Sequence, residues 1–351
     1  MKILMIGQVL SAGGGMVEVQ KGLMTYLSKQ GANIECISIA TSGASGEGRA
    51  LYFLSLFRII ALCISNNIDI AHIHMASRGS AIRKIIVSRI LSAFNVPFIF
   101  HLHSGEFSGF YERLPRIFQR IILTSLSNAS YVIVLSNKMA GWCKTTLELS
   151  NIVVIKNGCA DIQPLQNKAA RHRDIIFLGR LNEKKGVDDL IESIKLVSNT
   201  HPEIRATIAG DGDIPYYSAI AQKKGILHNL SFTGWLDRES CNQLLKSHKM
   251  FILPSYYEGM PMSILEAMSS QTPIIATKVG GIPEIIVHRL TGLLVDPGDV
   301  KAIADAILLL LKDEELSALI AKNARTHYEL EFSLETMGEK FMDIYNKIKI
   351  N

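Results

Sequence analysis

Cysteine is scarce in this chain. Five occur in 351 residues, Cys36, Cys63, Cys143, Cys159 and Cys241, odd in number and without a Cys-x-x-Cys pair. That excludes a disulfide framework and a thiolate zinc site, and it predicts buried thiols in a reducing compartment, the cytoplasm. Long apolar runs are missing too. The longest, residues 51–64, is interrupted by Arg58 and falls short of the roughly 20 residues that a bilayer span needs. The opening Met1-Lys2-Ile3-Leu4-Met5-Ile6-Gly7 reaches glycine after four apolar residues and shows no cleavage site. It reads as a first buried strand, not a signal peptide. There is no internal repeat, no low-complexity tract, no dinucleotide Gly-x-Gly-x-x-Gly fingerprint and no nucleic-acid motif. The basic residues are not interleaved with exposed aromatics, which excludes nucleic acid as a partner.

What the chain does have is length and alternation. At 351 residues, 48% hydrophobic and 20% charged, it is long enough for two domains with separate cores. Short apolar runs at 3–6, 34–39, 70–73, 98–101, 131–135 and 153–155 alternate with helical patterns, the signature of parallel βαβ units. After Asn157-Gly158, residues 163–173 are polar, contain Pro164 and lack a period, so they read as a linker. Strand-like runs restart at 175–178, 206–209, 230–232, 250–253, 274–276 and 293–295. The fold class is α/β: two doubly wound, Rossmann-like domains, 1–162 and 163–331, facing a cleft at their strand C-terminal ends.

Charge is unevenly divided. Residues 1–162 hold 15 Lys and Arg against 8 Asp and Glu, while the rest hold 22 against 24. Arg78, Arg83, Lys84, Arg89, Arg113, Arg116 and Arg120 are mixed with Ile82, Ile85, Ile86, Ile117 and Phe118. Basic residues beside an apolar stripe suit a surface resting on anionic lipid; ordinary amphipathic helices with a solvated face would give the same pattern. The expectation is peripheral contact with the cytoplasmic face of a membrane.

Two carboxylates, Glu258 and Glu266, sit eight positions apart in Glu258-Gly-Met-Pro-Met-Ser-Ile-Leu-Glu266. Pro261 marks a helix start, since its preset φ suits the first helical position. The amides of Gly259, Met260 and Met262 then point toward whatever lies above the strand. One acid falls at the helix mouth and the other on the helix wall, about 10 Å further at roughly 1.5 Å per residue. Carboxylates accept from vicinal diols, and a nucleotide sugar carries diols on both its ribose and its transferred sugar. The plainer reading makes Glu258 a loop charge and Glu266 a solvated helix face. Elsewhere, Gly13-Gly14-Gly15 precede a helix beginning near Met16, where glycines and free amides can approach a phosphate. Arg180 offers a planar fork and Lys185 a mobile charge for phosphate. His101 and His103 end one strand; His72 and His74 form a similar pair that reads as structural. Asp211-Gly-Asp213 could hold a divalent ion, but the surrounding glycines favour a turn.

The blocks Pro254-Ser-Tyr-Tyr-Glu-Gly-Met-Pro-Met-Ser-Ile-Leu-Glu-Ala-Met, Pro273-Ile-Ile-Ala-Thr, Val279-Gly-Gly-Ile-Pro-Glu and Thr291-Gly-Leu-Leu-Val-Asp-Pro-Gly-Asp, with Gly179-Arg-Leu and Lys185-Gly186 upstream, closely resemble the C-terminal half of the retaining glycosyltransferases of family 4. These have the GT-B architecture, and the match runs from about 177 to 310. The resemblance implies a transferase in bacterial polysaccharide or glycolipid synthesis, with a donor domain at 163–331 and an acceptor domain at 1–162. The tail 332–351 would pack back on the latter. It implies a nucleotide diphosphate sugar donor, most commonly a uridine diphosphate sugar, a saccharide or lipid-linked acceptor, and neither cofactor nor metal. Glu266 would bind the ribose, Glu258 the donor sugar, and Arg180 and Lys185 the diphosphate. Gly13, Gly14 and Gly15 would meet diphosphate and sugar, and His103 would border sugar and acceptor. Glu106 and Arg78 are candidate acceptor contacts. A nucleotide-sugar epimerase of the same shape and a non-catalytic nucleotide-sugar-binding subunit are the alternatives.

Overall fold

The computed structural model describes residues 1–31, 34–42, 48–165 and 173–350; most of the predicted linker, 166–172, lies outside them. The chain divides into two compact units, Met1–Cys159 with Leu334–Asn351, and Ala160–Ser333.

The first unit runs β1 (Lys2–Gly7), α1 (Gly15–Ser28), β2 (Glu35–Ala40), α2 (Gly48–Ile64), β3 (Ile70–Met75), α3 (Gly79–Ala93), β4 (Phe98–Leu102), α4 (Phe107–Glu112), α5 (Arg116–Ser127), β5 (Tyr131–Val134), α6 (Asn137–Thr146) and β6 (Ile152–Val154). Its six strands are parallel in the order β2-β1-β3-β4-β5-β6. A parallel sheet covered on both faces requires continuous apolar strands rather than alternating ones. Accordingly Ile3, Leu4, Met5 and Ile6 are all buried, and every residue of β3 and β4 is buried as well.

The second unit runs β7 (Arg173–Leu178), α7 (Val187–Ser198), β8 (Ala206–Ala209), α8 (Ile214–Lys223), β9 (Leu230–Gly234), α9 (Arg238–Ser247), β10 (His248–Leu253), α10 (Met262–Ser269), β11 (Ile274–Thr277), β12 (Leu293–Val295), α11 (Val300–Lys312) and α12 (Glu314–Glu331). The strand order is β12-β11-β10-β7-β8-β9, all parallel. Strand order therefore reverses between β7 and β10, the place where open α/β sheets bind ligands beyond their strand ends. Helices α8, α9, α11 and α12 each start on an aspartate, Asp213, Asp237, Asp299 and Asp313, whose side chain accepts from an amide in the first turn.

The last helix, α13 (Leu334–Ile350), belongs to the first unit. It packs on α1, where Gly338 has no room for a Cβ against Tyr26, and it lays Phe341 and Tyr345 over the His72 ring of β3.

One expectation fails in the first unit. Lys84 does not face outward; it is fully buried. On α3 it shares the inward stripe with Ala81, Ile85 and Ser88, while Ile82, Ile86 and Arg89 look out. Its Nζ donates to the Gly7 carbonyl at 3.2 Å and to Thr41 Oγ1. Burial pushes its pKa down to about 7.

Candidate active site

In the second unit the loops beyond β7 and β10 are locked together by backbone. Asn182 accepts from Lys185 N at 3.1 Å, closing a 3-10 turn over Glu183–Lys185. Gly186 ends the turn at φ 67, and a Cβ there would collide with the Pro254 carbonyl beyond β10. The Tyr256 amide donates to the Lys184 carbonyl at 2.8 Å. From the far side, Gly280 after β11 sits at φ 56 directly against the Glu258 carbonyl, and Gly281 N donates to Gly259 O at 2.8 Å.

This scaffold brings two predicted residues into contact. Lys185 Nζ lies 2.6 Å from Glu258 Oε1, and Ser255 Oγ donates to the same oxygen at 2.7 Å. The Glu258 side chain is 8% exposed and that of Lys185 26%, so the charge-assisted bond is only partly screened. Arg180 does not join them. It is well exposed, with Nε 3.7 Å from Asp211 Oδ2. Glu266, on α10, is half-buried and pairs with Arg238 of α9 at 3.6 Å. Met260, Pro261 and Met262 are buried at the start of α10, which has no side-chain cap. Asp211-Gly-Asp213 forms a turn, with Gly210 at φ 148 and Gly212 at φ 137. The Asp213 carboxylate is committed to the α8 cap, accepting from Tyr216 N at 3.0 Å.

In the first unit, Gly13, Gly14 and Gly15 are exposed, and α1 begins on Gly15 with Gly14 at φ 116 as its cap residue. They follow β1, beside the reversal in the order β2-β1-β3. His103 is half-buried just past β4. Burial pushes its pKa down to about 3, so it is neutral at pH 7. Its Nε2 lies 2.8 Å from His74 Nδ1. His72, His74 and His101 are fully buried, and burial holds all three well below the usual imidazole range. Glu106 is half-buried immediately before α4. Arg78 is exposed before α3, with φ 58 and ψ −131, an arrangement that costs a non-glycine residue on the order of 1–3 kcal/mol.

Two family profiles match the chain in tandem: "Glycosyltransferase Family 4" over residues 13–160 and "Glycosyl transferases group 1" over residues 161–327. The chain is a group 1 glycosyltransferase of the family 4 type. Among characterised members, it is similar to a glycogen synthase of Mycobacterium tuberculosis, 31% identical over 56% of this chain and 49% of that one. It is also similar to alpha-D-kanosaminyltransferase of Streptomyces kanamyceticus, 30% identical over 50% and 45%. The chain thus spans about half the length of the curated relatives it matches. Among solved structures it superposes on a sucrose-phosphate synthase of Thermosynechococcus elongatus with a TM-score of 0.81 at 19% identity, over 99% of this chain and 98% of that one. HepE of Anabaena, solved with UDP-glucose, gives a TM-score of 0.74 at 18% identity over 99% of both chains. The architecture is the GT-B fold of this family.

Two partners of the candidate site residues were not apparent in the sequence. Ser255 stands three residues before Glu258, at a spacing that signals nothing without the turn that folds it back. Arg238 is separated from Glu266 by an intervening strand and loop, and only the packing of α9 beside α10 joins them.

Proposed function

We propose that this protein is a retaining, metal-independent glycosyltransferase that moves a sugar from a uridine diphosphate sugar to a hydroxyl of a saccharide or lipid-linked saccharide. The observation that carries the reading is the contact of Lys185 with Glu258 where the second sheet reverses its order, with Arg180 exposed beside it. Lys185 and Arg180 offset charge growing on the leaving diphosphate, where fixed cations are worth most. Glu258 accepts from hydroxyls of the donor sugar, and Glu266 accepts from the ribose diol. In the first unit, Gly13, Gly14 and Gly15 approach the diphosphate and sugar, neutral His103 borders the sugar, and Glu106 and Arg78 serve the acceptor. Two-carboxylate retention needs a nucleophile about 5 Å from the acid. Here Glu258 is tied to Lys185 and Ser255, which favours front-face attack with the departing phosphate oxygen taking the acceptor proton.

The uridine assignment draws on HepE, which was solved with UDP-glucose. Thermal shift across nucleoside diphosphates tests it, since ligand at about 100 times its dissociation constant stabilises by roughly 2.7 kcal/mol. Radiolabelled UDP-glucose followed by chromatography separates transfer from epimerisation and from binding alone. Glu266→Ala should weaken UDP binding by about 1.5–3 kcal/mol, the worth of a charged hydrogen-bond partner; wild-type affinity in that variant would remove the ribose assignment.

The acceptor side of the proposal includes an anionic membrane surface. Helices α2, α3 and α5 contain no aspartate or glutamate. They leave Phe53, Leu54, Phe57, Ile82, Ile86, Ile117 and Phe118 exposed, together with Arg58, Arg89, Arg116 and Arg120. Apolar side chains rimmed by uncompensated arginines fit the interface between lipid headgroups and acyl chains. No helix among the described residues is long and apolar enough to cross a membrane.

A further inference from the structure

Beneath the predicted sugar-facing histidine, the first unit buries three more. The His72 and His74 rings of β3 stack at 4.3 Å between centroids, and the His101 and His103 rings lie 4.0 Å apart. Two hydrogen-bonded lines result. Tyr345 Oη meets His72 Nδ1 at 2.6 Å, and His72 Nε2 meets His101 Nδ1 at 3.2 Å. Separately, His74 Nδ1 meets His103 Nε2 at 2.8 Å. Each line ends on a buried nitrogen with no hydrogen-bond partner among the described residues, His101 Nε2 in one and His74 Nε2 in the other.

These dead ends decide the proton positions. Were His103 to donate from Nε2, His74 would have to carry its own proton on Nε2, as a buried N–H with no acceptor. Such orphaned donors are rarer than under-used acceptors. With His74 donating from Nδ1, only a lone pair is left at the dead end. A doubly protonated His74 is ruled out by its burial among His72, His103 and the Lys84 ammonium. The nitrogens of His72, His74 and His101 that fall within 4.8 Å of one another invite comparison with a metal site. A cation there would face the same Lys84, and two of these rings are already bonded to each other.

We propose that His74 is a positioning residue: by donating from Nδ1 to His103 Nε2, it holds the His103 ring protonated on Nδ1, so that His103 offers a hydrogen-bond donor to a hydroxyl of the transferred sugar. The identity of that ligand rests on the transferase reading; the tautomer does not. An acceptor nitrogen at the same place would instead take a hydrogen bond from a hydroxyl, whereas a donor engages the hydroxyl's lone pair and leaves its proton for another partner.

The test uses the full chain labelled with ¹⁵N-histidine, whose ring spectra at pH 7 distinguish protonated from bare nitrogens. His103 is assigned by the signal lost in His103→Gln. The expected result is a wild-type His103 protonated on Nδ1. That state should persist in His74→Asn, whose amide replaces the Nδ1 donor, and should reverse to Nε2 in His74→Asp, whose carboxylate at the same place accepts instead. With UDP-glucose as the probe donor, kcat for its consumption should fall about tenfold in His74→Asp, the worth of one hydrogen bond. It should recover in His74→Asn, with UDP affinity equal in all three proteins. A wild-type His103 protonated on Nε2, or a tautomer indifferent to His74→Asp, overturns the proposal. The wild-type spectrum needs no variant to fold. If UDP-glucose is not consumed at all, the transferase reading fails for this donor and the spectra still decide the tautomer.

Discussion

Lys185 Nζ and Glu258 Oε1 are 2.6 Å apart across 73 positions of sequence, on loops that follow neighbouring strands of one sheet. The contact gives an almost buried carboxylate its partner and fixes its direction through a shared oxygen with Ser255. It also means that the two residues do not act independently.

Lys185→Met should destabilise the protein by about 2–3 kcal/mol, because removing one partner leaves a buried charge uncompensated. Adding Glu258→Gln should recover part of that loss. Urea unfolding of the two single variants and the double variant closes the cycle, and strictly additive effects would show that the pair is not coupled. Arg180→Ala offers the contrast: its side chain is exposed, so stability should stay within about 0.5 kcal/mol. Its transfer rate should nevertheless fall on the order of 100-fold, as for loss of a transition-state donor.

Acid should unfold this protein early. His72, His74, His101 and His103 are all held neutral by burial, and His103 protonates only near pH 3. Below pH 6.5 the unfolded chain binds protons that the folded one refuses, so stability falls as pH drops. Each such ring contributes about 1.4 kcal/mol per pH unit over its window. Unfolding free energies measured from pH 7.5 to 4.5 should show this slope, and His101→Asn should lower it by about one proton. An unchanged slope in that variant would mean that the His101 ring already carries charge when folded.

Lys84 works at the other end of the scale. Its folded pKa is about 7, below the 10.5 of the unfolded chain. Between those values the unfolded state holds the extra proton, so stability rises with pH. Lys84→Met should lack that rise, so its stability relative to the wild type should fall from pH 7 to pH 10. Parallel curves for the two proteins would contradict the burial-lowered pKa.

Replacing Arg58, Arg89, Arg116 and Arg120 with Gln should release the protein from anionic vesicles, at about 1 kcal/mol per arginine near the surface. Salt should weaken wild-type binding over the same range. Sedimentation with anionic and neutral vesicles, at low and physiological salt, reads the outcome. A wild type that stays in the supernatant throughout would leave a water-soluble saccharide as the acceptor.

Much of this was legible from period and punctuation. The apolar runs marked the twelve strands of the described residues, most plainly β1, β3 and β4, whose buried positions hold little else, and Gly186 after β7 and Gly280 after β11 stand where loop backbones come together. Lys84 misled because charge in a helix reads as solvent-facing until the helix register is known; one inward position among Ala81, Ile85 and Ser88 reverses its meaning. The pairing of Arg238 with Glu266, and of His74 with His103, could not be read, because each joins elements whose adjacency only the sheet order defines.

The Tyr345 hydroxyl that closes on His72 lies 273 residues downstream of it. A ribosome adding about 5–20 residues per second needs roughly 14–55 s to cover that distance. Late in that interval the imidazoles of β3 have their strand neighbours but not their cover, although the whole second unit has by then been translated. Nascent chains halted before α13 should therefore carry titratable, water-accessible histidines and an exposed sheet face, which makes them substrates for chaperones. The sheet begun first is sealed last.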